Sequence, residues 1–113
     1  MPARENPKDA AAKRGRKVPM DLVLSPALEP LARAMECGAK KYGAWNWRAT
    51  PVRYSVYLAA MLRHLLAAAA RQDADHESGL DPLAHVMASC LIVLDARAHG
   101  TLIDDRPQQK ETS

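Results

Sequence analysis

The chain has 113 residues, a formal net charge of +3 and a hydrophobic fraction of 48%, which fits one domain. Its longest apolar runs are interrupted by ionisable residues such as Arg63 and Asp95, and its charged N-terminus lacks the apolar stretch of a signal peptide. Cys37 and Cys90 have no CxxC or other metal-site spacing, which fits free thiols in a reducing compartment. We therefore expect a soluble, cytoplasmic protein without a membrane partner.

Both ends of the chain differ from its middle. Residues 1–19 hold six of the 16 Lys and Arg residues against two acids, and residues 104–113 are also poor in large apolar side chains. Such segments bury too little to offset the entropy of ordering. The sequence predicts a flexible basic arm at 1–19, a helical domain at 20–103 and a flexible tail at 104–113. Short basic ends are more often solvated than bound to nucleic acid, so nucleic acid is not expected as the main partner.

The first predicted helix opens at Ser25-Pro26, where a capping oxygen precedes a proline whose missing N–H costs nothing in the first turn. It runs to about Lys41 and stops near Gly43. Its apolar residues recur at helical spacing and define one face (Leu28, Leu31, Ala32, Met35 and Ala39). On the polar face an exposed ion pair explains Glu36 and Lys40. The alternative is a metal-binding acid followed by the phosphate-binding lysines Lys40 and Lys41.

Residues 45–48 follow a glycine and precede Thr50-Pro51, which predicts a loop. Trp45 and Trp47 are either a hydrophobic plug or a stacking surface for a nucleobase. Asn46 can both donate and accept hydrogen bonds at a base edge. This segment is therefore a candidate base-binding site.

The second predicted helix begins at Thr50-Pro51 and runs to about Arg71. Arg63 and His64 are adjacent, so they point about 100° apart and at least one of them borders the interior. A histidine beside an apolar stripe is usually a hydrogen-bonded structural residue. The other possibility is a role for both side chains in a site.

The third predicted helix begins at Asp81-Pro82, runs to His99 and is closed by Gly100 as a left-handed residue. It is apolar on one side (Leu83, Met87, Cys90 and Leu94) and also on the opposite side (Val86, Ile92 and Val93). Three helices form only a thin core, and a helix that is apolar on both sides needs a second partner. We therefore predict a homo-oligomer, a dimer or a tetramer, held by this helix and the Ala-rich part of the second.

The segment between the last two helices, residues 72–81, reads QDADHESGLD and contains four carboxylates within nine residues. Oxygen ligands at alternating positions suit a hard cation such as Mg²⁺ or Mn²⁺. Asp75, Glu77 and Asp81 are the candidate ligands. The other interpretation is a solvated turn in which Asp81 serves only as a helix N-cap.

Several motifs, taken in order, resemble one family. They are Asp21-Leu22, then Gly38-Ala39-Lys40-Lys41-Tyr42-Gly43 with Asn46-Trp47-Arg48, then Arg63-His64, then Asp75-x-Glu77-Ser78-Gly79-Leu80, and finally Leu83-Ala84-His85. Together they resemble the phage dATP/dGTP diphosphohydrolases, which are MazG-like, all-α nucleotide pyrophosphohydrolases. The resemblance covers about residues 15–95.

This resemblance implies an all-α, MazG-like helical bundle that oligomerisation completes. It also implies cleavage between the α- and β-phosphates of a purine deoxynucleoside triphosphate, with Mg²⁺ or Mn²⁺, to give the monophosphate and pyrophosphate. In phages that replace adenine by 2-aminoadenine, MazZ-type members turn dGTP into dGMP. We therefore expect dGTP as the leading substrate and, for a phage-encoded chain, the cytoplasm of the infected host as its location.

The resemblance and the demands of phosphate chemistry assign roles to three groups of residues. The expected catalytic residues are Glu36, Glu77 and His64. The expected metal ligands are Glu36, Asp75, Glu77 and Asp81. The expected substrate-binding residues are Lys40, Lys41 and Arg63 for the phosphates and Asn46 and Trp47 for the base. His85 is a further candidate for a ligand or a supporting residue.

Two other interpretations of the chain lack catalysis. One is a helical, oligomeric nucleic-acid-binding or adaptor module whose basic arm docks on DNA, with an affinity that falls steeply with salt. The other is a purely structural oligomeric subunit in which residues 45–48 are buried. Neither predicts a dependence on metal ions.

Overall fold

The computed structural model describes residues 4–109; residues 1–3 and 110–113, the outer ends of the predicted arm and tail, lie outside the described part. The described chain is predominantly helical, so the prediction of an all-α protein is confirmed. In chain order it contains α1 (Pro7–Arg14), a 3₁₀ turn (Met20–Val23), α2 (Leu28–Tyr42), α3 (Asn46–Ala49), β1 (Val52–Arg53), α4 (Tyr54–Ala69), α5 (Pro82–Ala98) and β2 (Leu102–Ile103). No helix between residues 4 and 109 is long and apolar enough to cross a membrane.

Helix α5 begins and ends within one residue of the predicted positions. The Asp81 carboxylate accepts a hydrogen bond from the Leu83 N–H at 2.9 Å, and Pro82 occupies the first turn. After Ala98 the chain leaves the helix, and Gly100 adopts a φ of 72°. Both ends of this helix are thus defined by local capping chemistry.

Helix α4 begins three residues later than its sequence signal predicts. The prediction of a helix start at Pro51 is wrong, because the next residues form a strand. The Val52 N–H donates to the Thr101 carbonyl at 2.9 Å, and β1 pairs in parallel with β2. The helix therefore starts only at Tyr54.

Two further segments differ locally from prediction. The Ser25 hydroxyl accepts a hydrogen bond from the Ala27 N–H within a turn. Helix α2 therefore begins at Leu28, two residues after the predicted start at Pro26. The loop predicted at residues 45–48 is in part the one-turn helix α3. Trp45 precedes it in the left-handed region with a φ of 59°, and Trp47 is buried.

Helix α5 lies at the centre of the packing and contacts both α2 and α4. Most of its buried residues are small, which lets the neighbouring helices approach closely (Pro82, Ala84, Ala88, Ser89, Val93 and Ala96). Ala34 of α2 packs against Ala84 and Ala88. Met61 contacts Cys90 and His64 contacts His85, so α4 and α5 run antiparallel.

The opposite side of α5 is exposed in the single chain, together with one side of α4. We call this surface the α4–α5 apolar face. Its leucines are 36% to 71% exposed (Leu58, Leu62, Leu65, Leu66, Leu83 and Leu94). The inner side of α5 carries the buried Val93 and the half-buried Val86 and Ile92. Helix α5 is therefore apolar on both sides, as predicted, and only one side is covered within one chain.

The single chain exposes more surface than a self-contained domain of its mass. Its accessible surface is 9259 Å², against about 6,100 Å² expected for a folded monomer of 12.4 kDa. Its radius of gyration is 18.9 Å, whereas about 13 Å is typical of a compact chain of this length. The α4–α5 apolar face and the N-terminal segment both contribute to this excess.

The two ends of the described chain carry local structure. In the N-terminal arm, the Asn6 side chain accepts a hydrogen bond from the Lys8 N–H at 2.8 Å and starts α1, of which no residue is buried. At the other end, the Asp105 carboxylate accepts a hydrogen bond from the Ser55 N–H at 2.8 Å. This contact holds residues after β2 against the start of α4.

The Asp81 cap leads to a prediction that separates its structural role from metal binding. Asp81→Ala should lower the free energy of unfolding by about 1 kcal/mol, because the Leu83 N–H loses its acceptor. Asp81→Asn keeps an acceptor and should retain most of the stability. Urea unfolding followed by circular dichroism measures both variants, and equal losses would contradict a capping role.

Candidate active site

A cavity of about 160 Å³ lies between α2, α3, α4 and α5; we call it the inner cavity. Its polar and aromatic lining comes from all four helices (Lys41, Tyr42, Asn46, Trp47, Tyr57, His64, His85 and Ser89). A neighbouring outer cleft of about 600 Å³ is bordered by Arg53 and Arg63. The two spaces share four residues: Tyr42, Asn46, Tyr57 and Ser89. They therefore form one concave region with cationic side chains at both ends.

Helical spacing explains how short stretches of sequence reach the inner cavity. On α4, Tyr57 and His64 are seven residues apart and share a face. On α5, His85, Ser89 and Ile92 recur at intervals of four and three residues on the inner side of the helix. Burial raises the pKa of Tyr57, which therefore stays protonated at neutral pH.

Gly38 leaves open space on the α2 wall of the inner cavity. A Cβ atom built at this position would meet no other atom within 4 Å. Glycine inside a helix is destabilising by roughly 0.5–1 kcal/mol relative to alanine. The chain thus carries an unfavourable residue beside an unfilled space, which suits the close approach of a ligand.

Two histidines from different helices stack on one another at the edge of the inner cavity. The ring centroids of His64 and His85 are 4.7 Å apart, and the ring planes differ by 16°. The Nε2 atom of His85 lies 2.6 Å from the Ser78 hydroxyl, which in turn contacts Asp75 at 3.1 Å. The Nδ1 atom of His64 lies 3.9 Å from the other oxygen of Asp75. Asp75 is therefore linked to both rings.

This network sets the charge of its members. The Ser78 backbone N–H lowers the pKa of Asp75 below its usual range, so Asp75 is ionised at neutral pH. Burial lowers the pKa of His85, and the neighbouring His64 lowers it further. His85 is consequently neutral at pH 7 and can exchange a hydrogen bond with Ser78.

Lys41 joins the C-terminal end of α2 to the acidic segment at residues 72–81. Its ammonium group lies 2.5 Å from the Glu77 carboxylate, and this hydrogen bond raises the pKa of Lys41. Glu36 and Lys40 form an exposed pair one turn earlier, at 3.7 Å. A small cavity of about 190 Å³ is lined by Glu36, Lys40 and Ser78. The structure thus brings the predicted α2 residues and the acidic segment to one side of the molecule.

The predicted metal ligands do not converge on one point within the chain. One oxygen of Asp75 is occupied by three donors from Glu77 and Ser78. Glu77 is paired with Lys41, and Asp81 caps α5. Across residues 4–109 no group of three His, Cys, Asp or Glu side chains is placed to hold a metal ion. The donors in the described part of one chain therefore do not form a complete cation site.

The remaining predicted substrate residues have different surroundings. Asn46 borders both the inner cavity and the outer cleft, and Arg63 is exposed at the cleft. Trp47 is only 5% exposed, and its indole N–H donates to Asp95 at 2.7 Å. Trp47 thus contributes a wall of the cavity, with its one polar group already bonded.

Asp95 supports this region, and sequence reasoning missed its role. Besides Trp47, its carboxylate accepts two hydrogen bonds from the Arg48 guanidinium, at 2.8 and 2.9 Å. Arg48 lies 4.1 Å above the ring of Trp45. The hydrogen bonds from Arg48 and then Trp47 hold the pKa of Asp95 well below its usual range. The sequence did offer a signal for this role, because Asp95 is the one acidic residue in a mostly apolar helix.

Two comparisons with known proteins give the same family. A family model described as "dATP/dGTP diphosphohydrolase, N-terminal" matches residues 7–106. The chain is 30% identical, over 90 residues, to a dATP/dGTP diphosphohydrolase of Salmonella phage PMBT28. That match covers 80% of this chain but only 30% of the length of the relative. No solved structure matches the chain significantly.

The His85 environment predicts a pH dependence of stability. Its pKa in the folded chain lies below the ordinary value of 6.5, so the unfolded chain binds more protons between these two pKa values. The stability contribution is present above pH 6.5 and is lost as the pH falls through the folded pKa. The melting temperature should therefore fall from pH 7.5 to pH 5.5, and less so in His85→Gln. The control is His76→Gln on the exposed loop; an unchanged fall in His85→Gln would contradict the assignment.

Proposed function

The chain belongs to the dATP/dGTP diphosphohydrolase family, and on this premise we propose that it hydrolyses a purine deoxynucleoside triphosphate, with dGTP as the leading substrate. Water would attack phosphorus, the bond between the α- and β-phosphates would break, and dGMP and pyrophosphate would leave. The observation that carries the proposal is the inner cavity, where Lys41, Asn46 and His64 meet beside the acidic segment. Production of dGMP for 2-aminoadenine synthesis in a phage is the corresponding biological role.

The cationic residues are arranged for phosphate oxygens. Lys41 is paired with the exposed carboxylate of Glu77, so a triphosphate can replace that carboxylate as its partner. Lys40 is exposed one residue earlier, and Arg63 borders the other end of the concave region. A nucleotide that spans the two spaces would contact cations at both ends.

Asn46 is the proposed reader of the base. It lies where the inner cavity meets the outer cleft, and its amide can both donate and accept hydrogen bonds. Tyr42 and Tyr57 border the same two spaces and offer aromatic surfaces to a purine. Trp47, predicted from sequence to contact the base, would act here as the rigid wall behind Asn46.

Glu36, Glu77 and His64 remain the proposed catalytic residues. Release of Lys41 to a phosphate would free the Glu77 carboxylate to accept a proton from water. His64, whose Nδ1 atom lies 3.9 Å from Asp75, is the alternative acceptor of the proton that water loses. Glu36 lies on the same side of the molecule, beside the small cavity that Ser78 also lines.

A requirement for Mg²⁺ or Mn²⁺ is part of the proposal, with Glu36, Asp75, Glu77 and Asp81 as the ligands. A divalent cation would neutralise the charge of the triphosphate. Its support is the chemistry of the carboxylate donors and the family resemblance. Within residues 4–109 of one chain these donors do not converge on a single point.

A homo-oligomer is proposed through the α4–α5 apolar face. The chain exposes about 3,000 Å² more than a folded monomer of its mass, and this face supplies part of that excess, together with the N-terminal segment. The Met61–Cys90 contact joins the leucine rows of α4 and α5 into one surface. A second copy packed on it would form a four-helix layer. A light-scattering mass of 12.4 kDa at micromolar concentration would contradict this assembly.

The activity is tested by incubating the protein with each deoxynucleoside triphosphate and Mg²⁺, Mn²⁺ or EDTA. Chromatography should show dGMP and pyrophosphate from dGTP, with a slower reaction of dATP. Glu77→Gln and Glu36→Gln should each lower kcat by about a hundredfold or more, because each removes a proposed proton acceptor or ligand. Glu29→Gln, an exposed glutamate paired with Arg33, is the matched control. Release of dGDP and orthophosphate from dGTP, or no turnover with either cation, would contradict the proposal.

Gly38→Ala tests whether the inner cavity holds the nucleotide. The methyl group should stabilise α2 by about 0.5–1 kcal/mol, because glycine is unfavourable inside a helix. Because Gly38 lines the inner cavity and the added methyl group would occupy open space, we expect it to compete with a bound nucleotide and to raise KM by about five- to tenfold. Thermal unfolding and steady-state kinetics measure the two effects. A variant that is more stable and binds substrate equally well would place the nucleotide elsewhere.

A further inference from the structure

The segment before α2 is apolar and almost fully exposed. Residues 18–24 contain five large apolar side chains that are 60% to 83% exposed (Val18, Met20, Leu22, Val23 and Leu24). We call this stretch the apolar arm segment. Scattered exposed apolar residues are ordinary on a protein surface, but five within seven residues form a patch that marks a contact site.

The same chain carries an apolar groove along α2, which we call the α2 groove. It has a volume of about 440 Å³, and only one of its lining residues, Glu36, is charged. The others are apolar or aromatic (Leu28, Leu31, Ala32, Met35, Ala39, Ala44, Trp45, Trp47 and Leu91). Trp45, which is 54% exposed, closes one end. The groove therefore offers a site for an apolar segment of chain.

The arm segment and the groove match in length. The groove follows α2 from Leu28 to Ala39, a rise of about 16 Å. Residues 18–24, with their 3₁₀ turn, also span about 16 Å. Arg16 and Lys17 precede the apolar run, Asp21 lies within it, and Glu36 is the groove's charged residue. An arm that runs antiparallel to α2 would bring the two basic residues toward the end of the groove that holds Glu36.

The arm does not lie in the groove of its own chain. The arm ends at Leu24, and the turn at Ser25 leads directly into Leu28, where the groove begins. This turn is closed by hydrogen bonds from the Ala27 N–H to the Ser25 hydroxyl and from the Leu28 N–H to the Ser25 carbonyl. None of the residues that line the groove belongs to the arm, and the apolar side chains of the arm are 60% to 83% exposed.

We propose that the apolar arm segment of one copy lies in the α2 groove of a second copy. The arm then covers the groove beside Trp45 and Glu36, and its exposed leucines are buried in the assembly. This contact is separate from the α4–α5 apolar face and does not depend on the proposed activity. Its occupant is a second molecule of this chain, bound through residues 18–24.

Cross-linking between differently tagged chains tests this exchange. In a full-length Cys37→Ala and Cys90→Ala background, Leu22→Cys and Leu31→Cys are introduced into separate chains, one of which carries a mass tag. After mixing and treatment with a short bismaleimide, mixed dimers are expected. Leu94→Cys, on the α4–α5 apolar face, replaces Leu31→Cys as the control and should give no mixed product with Leu22→Cys. The absence of mixed dimers would overturn the proposal. So would a chain that carries both Leu22→Cys and Leu31→Cys and cross-links only within itself.

Sedimentation measures the contribution of the arm to assembly without any cross-linker. Leu22→Glu should weaken self-association by about tenfold or more, because it places a charge on a side chain that the proposed contact buries. Ala11→Glu adds the same charge to α1, outside the apolar arm segment, and should leave association unchanged. Equal association of Leu22→Glu and the unmodified chain would also overturn the exchange.

Discussion

The carboxylate of Asp95 holds together the region on which the candidate site depends. It accepts hydrogen bonds from Trp47 and Arg48, which lie nearly fifty residues earlier in the chain. These bonds fix the one-turn helix α3 against α5, since α3 is too short to be stable alone. With α3 fixed, Asn46 stays at the junction of the inner cavity and the outer cleft. One acid in an apolar helix thus positions the proposed base-binding residue.

The charged side chains of the candidate site are paired with one another or with hydrogen-bond donors. Lys41 is paired with Glu77, Lys40 with Glu36, and Asp75 with hydrogen-bond donors from the backbone. Exposed pairs of this kind contribute little to stability, because water screens them well. They can therefore be exchanged at small cost when a polyanion arrives. Under the proposed function, phosphate binding would release Glu77 from Lys41 and Glu36 from Lys40.

Two apolar surfaces remain uncovered in a single copy of the chain. The α4–α5 apolar face and the α2 groove lie on different parts of α2, α4 and α5. Glu36 and Trp45 line that groove, so a second chain placed there would lie close to a proposed catalytic residue.

Local chemistry in the sequence was sufficient for features that involve neighbouring residues. The Asp81-Pro82 start and the Gly100 end of α5 depend on capping within a few residues, and the Glu36–Lys40 pair depends on helical spacing. Helical periodicity likewise sufficed for the all-α class. Tertiary contacts decided the rest: the strand at Val52, which needs residues fifty positions away, and the stacking of His64 on His85. No local period encodes such contacts, because they depend on how α4 and α5 meet through their small side chains.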